Sequence, residues 1–222
     1  MAAKRGKASV RRAAATVTLW DMPYSHHCIK VRKLLAHKGV AHDTRLVPYH
    51  DKRALLAATG QDYVPYLHWD GRGVPWGGIV EFLEEQVPEP SAFPPGLKGQ
   101  ARMLEQWAHD VLEERVWRYV VPDFGPIFKD EQERWVFEEI QFWKRGPMEA
   151  LKARQPQARE DMLRHLRFVE DALERSDFLL GDLPCVADFA VHGALYPLRH
   201  VGKQVPRELP RLRAWDQRVG KV

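Results

Sequence analysis

The sequence predicts a small mixed α/β unit followed by an all-helical half. Three observations carry this. Residues 16–86 alternate β-prone and helix-periodic stretches in the order β-α-β-α-β-β-α. Residues 87–96, VPEPSAFPPG, hold four prolines and a glycine and cannot continue a helix. Beyond them the apolar patterns read as helix throughout.

The elements follow in order. Val17 and Leu19, with Thr16, Thr18 and Trp20, predict a strand ending near Asp21, and Pro23 breaks it. Ser25 precedes a helix over His26–His37, with Val31, Leu34 and Leu35 on one face and Gly39 as the stop. A second strand is expected at Asp43–Pro48 and a short helix at Asp51–Ala58. Val64–Leu67 opens a third strand, Asp70-Gly71 suits a hairpin turn, and Gly73–Pro75 returns. Ile79, Phe82 and Leu83 mark a third helix at i, i+3, i+4. After the proline-rich linker, Met103, Leu104, Trp107, Val111 and Leu112 share one face. Trp135, Ile140, Phe142 and Trp143 belong to an aromatic-rich helix, and Met162, Leu166, Val169 and Leu173 to a third. Val186–Leu195 is almost wholly apolar, as for a helix buried on most sides, and Pro210 starts a last amphipathic helix.

Composition narrows the function classes. The chain has 222 residues, 45% hydrophobic and 29% charged, which excludes a mainly disordered protein. No apolar run approaches the ~18 residues that cross a bilayer. Cys28 and Cys185 are too few for a disulfide framework, and no apolar stretch follows the basic start as in a secretory signal. A cytoplasmic location is therefore expected. The net charge of +4 belongs to the first residues: Lys4, Arg5, Lys7, Arg11 and Arg12 precede any acid. Without these five, 29 basic residues face 30 acidic ones, so no nucleic-acid partner is expected. Residues 1–15 read as a disordered basic tail; their Arg/Ala-rich, acid-free composition also suits a mitochondrial presequence.

Several local motifs then share one resemblance. YSHHCIKVRKLLAHKGV is similar to the first helix of the soluble glutathione S-transferases, where an SPYC or CPYC box precedes xKVRxxLxxKG. Tyr63-Val64-Pro65-Tyr66-Leu67 resembles their Val-Pro-Leu segment with its cis-proline. IVEFLE at Ile79–Glu84 resembles their IxxYLE, and VPEPSAFPP their linker. FLLGDLPCVADFAV and LPRLRAWDQRV resemble two segments of their helical domain. The resemblance spans residues 16–219. It implies a thioredoxin-like N-terminal domain at 16–86, a linker at 87–98 and an all-helical C-terminal domain of the glutathione-transferase type at 99–222.

It also implies chemistry. Glutathione would be the co-substrate, conjugated to a small hydrophobic electrophile, and the protein would be a homodimer without a membrane partner. Ser25, first in the box, would donate to the glutathione thiol and hold it as thiolate. As sequence alone, Ser25 reads as an N-cap of the first helix, and the two roles do not exclude each other. Tyr24, Cys28, Val64, Pro65, Trp76 and Gly77 complete the implied glutathione site. The Val64 main chain would pair with the cysteinyl backbone. Cys28 has two readings, a redox thiol or a half-buried one under the first turn. His26 and His27 invite a zinc reading, but consecutive helix residues diverge by about 100° and no second ligand cluster is visible, so no metal is expected.

Two departures stand out. Pro75 and Trp76 occupy the positions of the acid–serine pair that would bind the γ-glutamyl carboxylate, leaving the amides of Trp76 and the two following glycines. Cys185 replaces the hydroxyl of a capping box closed by Asp188. Trp107, Trp117, Tyr119, Phe124, Phe128, Phe142 and Trp143 are candidates for a hydrophobic substrate site or for core. The alternatives to a transferase are a non-catalytic protein of this fold with a decayed glutathione clamp, and a thiol reductase using Cys28.

Overall fold

The computed structural model describes residues 15–222. Apart from Ala15, the basic tail lies outside the described residues. Strands β1 (Val17–Asp21), β2 (Asp43–Leu46), β3 (Tyr66–Trp69) and β4 (Arg72–Pro75) form one sheet in the order β2-β1-β3-β4. β1 and β2 are parallel and the other pairs antiparallel. Helices α1 (His26–His37), α2 (Arg53–Thr59) and α3 (Ile79–Gln86) are interleaved with the strands. The strand alternation sends Val17, Leu19, Leu67 and Val74 toward α1 and α3. Trp20 faces the other way, with Val47 and with Leu55 of α2.

Strand and helix bounds shift where local chemistry differs from the pattern. β3 begins at Tyr66 rather than Val64, because Pro65 has no N–H for the ladder. α2 begins at Arg53, since Asp51 accepts from the Arg53 N–H (3.0 Å) and guanidinium (2.6 Å) ahead of the helix. Asp70 and Gly71 join β3 to β4 with φ of 48° and 81°, the paired positive values of a tight hairpin turn.

The helical domain starts with α4 (Lys98–Trp107), runs through a π turn (Ala108–Leu112) and continues as α5 (Glu113–Phe124). Then come α6 (Glu131–Arg145), α7 (Met148–Ala153), α8 (Gln155–Ala172), α9 (Val186–Leu195), α10 (Pro197–His200) and α11 (Pro210–Lys221). One expected face is corrected, and the expected aromatic-rich helix is α6. Met103 is 73% exposed, and the buried stripe is Ala101, Glu105, Ala108 and Leu112. On α6 the buried residues are Phe137 and Gln141, while Trp135, Phe142 and Trp143 lie outside. Among the described residues no helix is long and apolar enough to cross a membrane.

All ten residues of α9 are buried, and its packing on α1 is the most extensive between any two elements. Its one titratable base, His192, meets Asp216 of α11: Nδ1 lies 2.9 Å from Oδ1, while Arg199 donates to Oδ2 at 2.5 Å. Burial holds His192 below the ordinary imidazole range, against the pull of Asp216. The unfolded chain takes up this proton near pH ~6.5 and the folded chain only at lower pH. Stability from His192 is thus present above that pH and lost as pH falls through the folded value. Urea midpoints are expected to drop between neutral pH and pH ~5, with a shallower slope for His192→Asn. Equal slopes would place the proton uptake elsewhere.

Candidate functional site

The site forms where β1 turns into α1. Ser25 donates its N–H to Met22 O (3.0 Å) and adopts an extended backbone (φ −78°, ψ 119°), the geometry of an N-cap. Its Oγ accepts from Cys28 N–H at 3.4 Å, a long bond. The cap is therefore present, and Ser25 is half-buried. Arg32 ties the loop down by donating to Pro23 O at 3.2 Å.

Cys28, expected at the ligand, is fully buried instead. Burial, then the neighbouring Asp21 carboxylate, push its thiol up to about 12. It is neither an exposed ligand group nor a ready thiolate. Tyr24 is likewise engaged: its hydroxyl donates to Glu133 Oε1 of α6 at 3.1 Å. Its ring packs near Phe128, Phe124, Tyr49 and His200 at centroid distances of 5.2–6.0 Å. Glu133 also accepts from Tyr49 N–H at 2.6 Å, so one α6 carboxylate fastens two loops of the N-terminal domain.

Val64–Pro65 is a cis peptide bond, with Pro65 buried and Val64 half-buried. Among the described residues the Val64 N–H and C=O have no hydrogen-bond partner. Trp76 opens a 3₁₀ turn, Trp76–Gly78, with no side-chain cap, and a Cβ on Gly77 would meet nothing within 4 Å. The Trp76 indole lies over His27 at 4.6 Å between centroids, so this turn and the first turn of α1 come together.

Groups from α1 and from the helical domain meet behind them. His26 and His27 have centroids 3.8 Å apart, and His109 of the π turn lies 4.4 Å from His27. Lys30 is buried and donates to Glu105 Oε1 at 2.6 Å. Burial pushes Glu105 up, but His109, Lys30 and Arg102 outweigh it and hold the carboxyl at about 2. Burial pushes the Glu113 carboxyl, 3.5 Å from His26 Nδ1, up to about 7.

Comparison with known families decides the affiliation. Residues 19–91 match a family model for the glutathione S-transferase N-terminal domain, and residues 140–218 one for the glutathione S-transferase C-terminal domain. The chain belongs to the glutathione S-transferase superfamily. Solved structures agree in fold. A glutathione S-transferase from Rhodospirillum rubrum superposes with a TM-score of 0.71 at 23% identity, covering 93% of this chain and 89% of that one. Glutathione transferase GSTFuA3 from Phanerochaete chrysosporium gives 0.77 at 18%, covering 92% and 96%. Glutaredoxin 2 from Salmonella typhimurium, solved in complex with glutathione, gives 0.73 at 15%, covering 93% and 95%. Sequence comparison with curated proteins finds no match.

Within this superfamily fold, the Trp76 indole stacks on His27, two residues after Ser25. Residues the sequence did not signal are Glu105, His109, Glu113 and Glu133. All four lie between the segments the two family models match. Of the aromatic candidates, Phe124 and Phe128 are buried, Trp107, Trp117 and Tyr119 half-buried, and Phe142 and Trp143 exposed. Surface cavities of about 310 and 380 Å³ lie around Arg199 and are lined by neither Ser25, Val64 nor Trp76.

Proposed function

We propose that the chain is a glutathione transferase that conjugates the glutathione thiol to a small hydrophobic electrophile, with Ser25 as the thiol-activating residue. The observation that carries this is the Ser25 hydroxyl: it accepts one long bond from Cys28 N–H at the start of α1. That bond uses a lone pair and leaves the hydroxyl proton for a second partner. A donor and a helix N-terminus at one sulfur both favour thiolate. The thiolate then attacks the electrophilic carbon, forming the C–S bond as the leaving group departs with the bond's electron pair.

The Val64 main chain would pair with the cysteinyl backbone. With Pro75 and Trp76 in place of an acid and a serine, the γ-glutamyl carboxylate would rely on the Trp76 and Gly77 amides. Each missing charge-assisted contact weakens binding by about 1–3 kcal/mol, so glutathione affinity is expected to be modest. Tyr24, Tyr49 and Phe128 would form the electrophile wall. Family membership and the glutathione complex of the glutaredoxin neighbour support this choice of thiol. The reading includes a cytoplasmic homodimer, divided at 16–86, 87–98 and 99–222.

The test is turnover of a chlorodinitrobenzene with glutathione, beside retention on immobilised glutathione. Folded Ser25→Ala is expected to lose about 100-fold or more in kcat/KM, as when one donor to a developing anion is removed. Cys28→Ser should leave turnover unchanged. Wild-type rates in Ser25→Ala would remove Ser25 from the mechanism. A native protein that neither turns over nor is retained would defeat the transferase reading altogether.

A further inference from the structure

We propose that His26, His27 and His109 form a binding site for a divalent first-row transition ion, with Zn²⁺ as the expected occupant. The proposal goes beyond the thiol chemistry above and does not depend on Ser25. Each ring offers one nitrogen, and the three offered atoms lie within 4.8 Å of one another. Around Zn²⁺, at about 2.0–2.1 Å from each nitrogen, they would close to about 3.4 Å, a change that side-chain torsions can supply. Three imidazoles suit zinc, cobalt, nickel or copper and not magnesium or calcium.

The sequence argument against a metal was that His26 and His27 diverge and lack a third ligand. His109 is that ligand. It comes from the other domain on the π turn Ala108–Leu112, which inserts a residue and re-aims the side chains of a continuous helix. Independent observations point to an occupant. Nδ1 of His27 and Nδ1 of His109 are buried and have no hydrogen-bond partner among the described residues. Buried ring nitrogens in that state are uncommon and costly, and a bound ion supplies a partner. Carboxylates also stand behind two of the rings: Glu113 Oε1 is 3.5 Å from His26 Nδ1, and Glu105 Oε1 is 3.8 Å from His109 Nε2. This is the outer layer that orients histidine ligands.

Lys30 sets the metal-free state. Its Nζ lies 3.1 Å from His109 Nε2, so it donates there and leaves the ring proton on Nδ1. When Nδ1 turns to a metal it gives up its proton and Nε2 takes one, so Lys30 releases Nε2 and keeps its 2.6 Å bond to Glu105, whose Oε1 lies 3.8 Å from Nε2. The ring changes tautomer and keeps its charge. The amino end of α1 and the Lys30 ammonium oppose a cation; Glu105 and Glu113 offset them. Trp76, 37% exposed over His27, covers the outer side of the site.

The experiment is a Co²⁺ titration of the untagged, full-length protein after chelator treatment, read as visible d–d absorption. One equivalent is expected to give the intense bands of a four-coordinate ion, and Zn²⁺ should bleach them. His109→Gln and His27→Gln should each weaken affinity by more than about 100-fold, since losing even an outer-layer partner costs 10–100-fold. His165→Gln, at a histidine on α8, should change nothing. Far-UV circular dichroism certifies that each variant is folded, and His27→Gln decides if His109→Gln is not. Absence of bands in the native protein overturns the proposal. So does a spectrum that survives in a folded His27→Gln or His109→Gln variant.

Discussion

Alanine at Gly193 is expected to destabilise the protein by about 3 kcal/mol, at the upper end of the range for overpacked cores, and valine by more. Gly193 lies on α9 where α1 crosses it. A Cβ there would stand 2.5 Å from His26 O, 3.4 Å from His26 C and 3.5 Å from Lys30 N. All three are main-chain atoms at the start of α1, so no flexible side chain can move aside. Helix propensity works in the opposite direction, favouring alanine over glycine by about 1 kcal/mol. A net loss therefore measures the clash. The consequence reaches the site, because lifting the first turn displaces Ser25 and His26 together. Guanidinium unfolding checks the first part, and glutathione turnover and Co²⁺ absorption the second. Gly99→Ala provides the control: it too is helical, a Cβ there meets nothing within 4 Å, and it should be neutral or stabilising by about 1 kcal/mol. A Gly193→Ala protein as stable as the Gly99→Ala control would mean that α1 and α9 have slack where they cross.

The α/β domain was legible because its signals are local. Ser25 before an apolar-periodic run marks α1, and Pro210 marks the start of α11; both elements run from the expected residues. The almost wholly apolar stretch at Val186–Leu195 was expected to be a helix buried on most sides, and all ten of its residues are buried. The α4–α5 region was misread for a definite reason. Met103 and Leu112 are nine residues apart, about 180° around an α-helix, so they cannot share a face: one is exposed and the other buried. The buried stripe, Ala101, Glu105, Ala108 and Leu112, keeps helical spacing but is made largely of small and charged residues that a count of large apolar positions passes over.

The site was legible only in part, and again the range of the signal decides. The Ser25 cap spans three residues and could be read. The stacking of Trp76 on His27, the reach of Glu133 to Tyr24 and the arrival of His109 beside both histidines are tertiary contacts between separate elements. No spacing rule encodes them. Trp76 shows how a position read for one contact also makes others. Beside Pro75 it stands where a carboxylate clamp is absent; in the fold the indole stacks on His27, lies edge-on to His109 and has the Lys30 ammonium 5.9 Å from its ring.

Asp188→Ala is expected to destabilise the helical domain by at least about 4 kcal/mol, a large share of the 5–15 kcal/mol typical of a folded protein. The carboxylate is fully buried and accepts four hydrogen bonds. Oδ1 takes Leu179 N–H at 2.9 Å and Trp215 Nε1–H at 2.7 Å; Oδ2 takes Cys185 N–H at 2.9 Å and the Cys185 thiol at 3.1 Å. One side chain thus joins the turn before α9, the cap of α9 and the indole of α11. Burial pushes the Asp188 carboxyl above its usual range despite these donors, so desolvation opposes the network. Alanine removes that opposition but leaves two buried main-chain N–H groups and the indole N–H without partners, at about 1–3 kcal/mol each. Three orphaned donors outweigh one relieved desolvation. Trp215→Phe removes a single bond and should lose about 1–2 kcal/mol. Cys185→Ser should hold or gain stability, because a hydroxyl bonds the same carboxylate more strongly than a thiol. Denaturant unfolding of the three variants orders them, with Asp188→Ala last. A midpoint for Asp188→Ala at or above that of Trp215→Phe would show that the neighbouring donors find other partners, and the idea of a single organising carboxylate would fail.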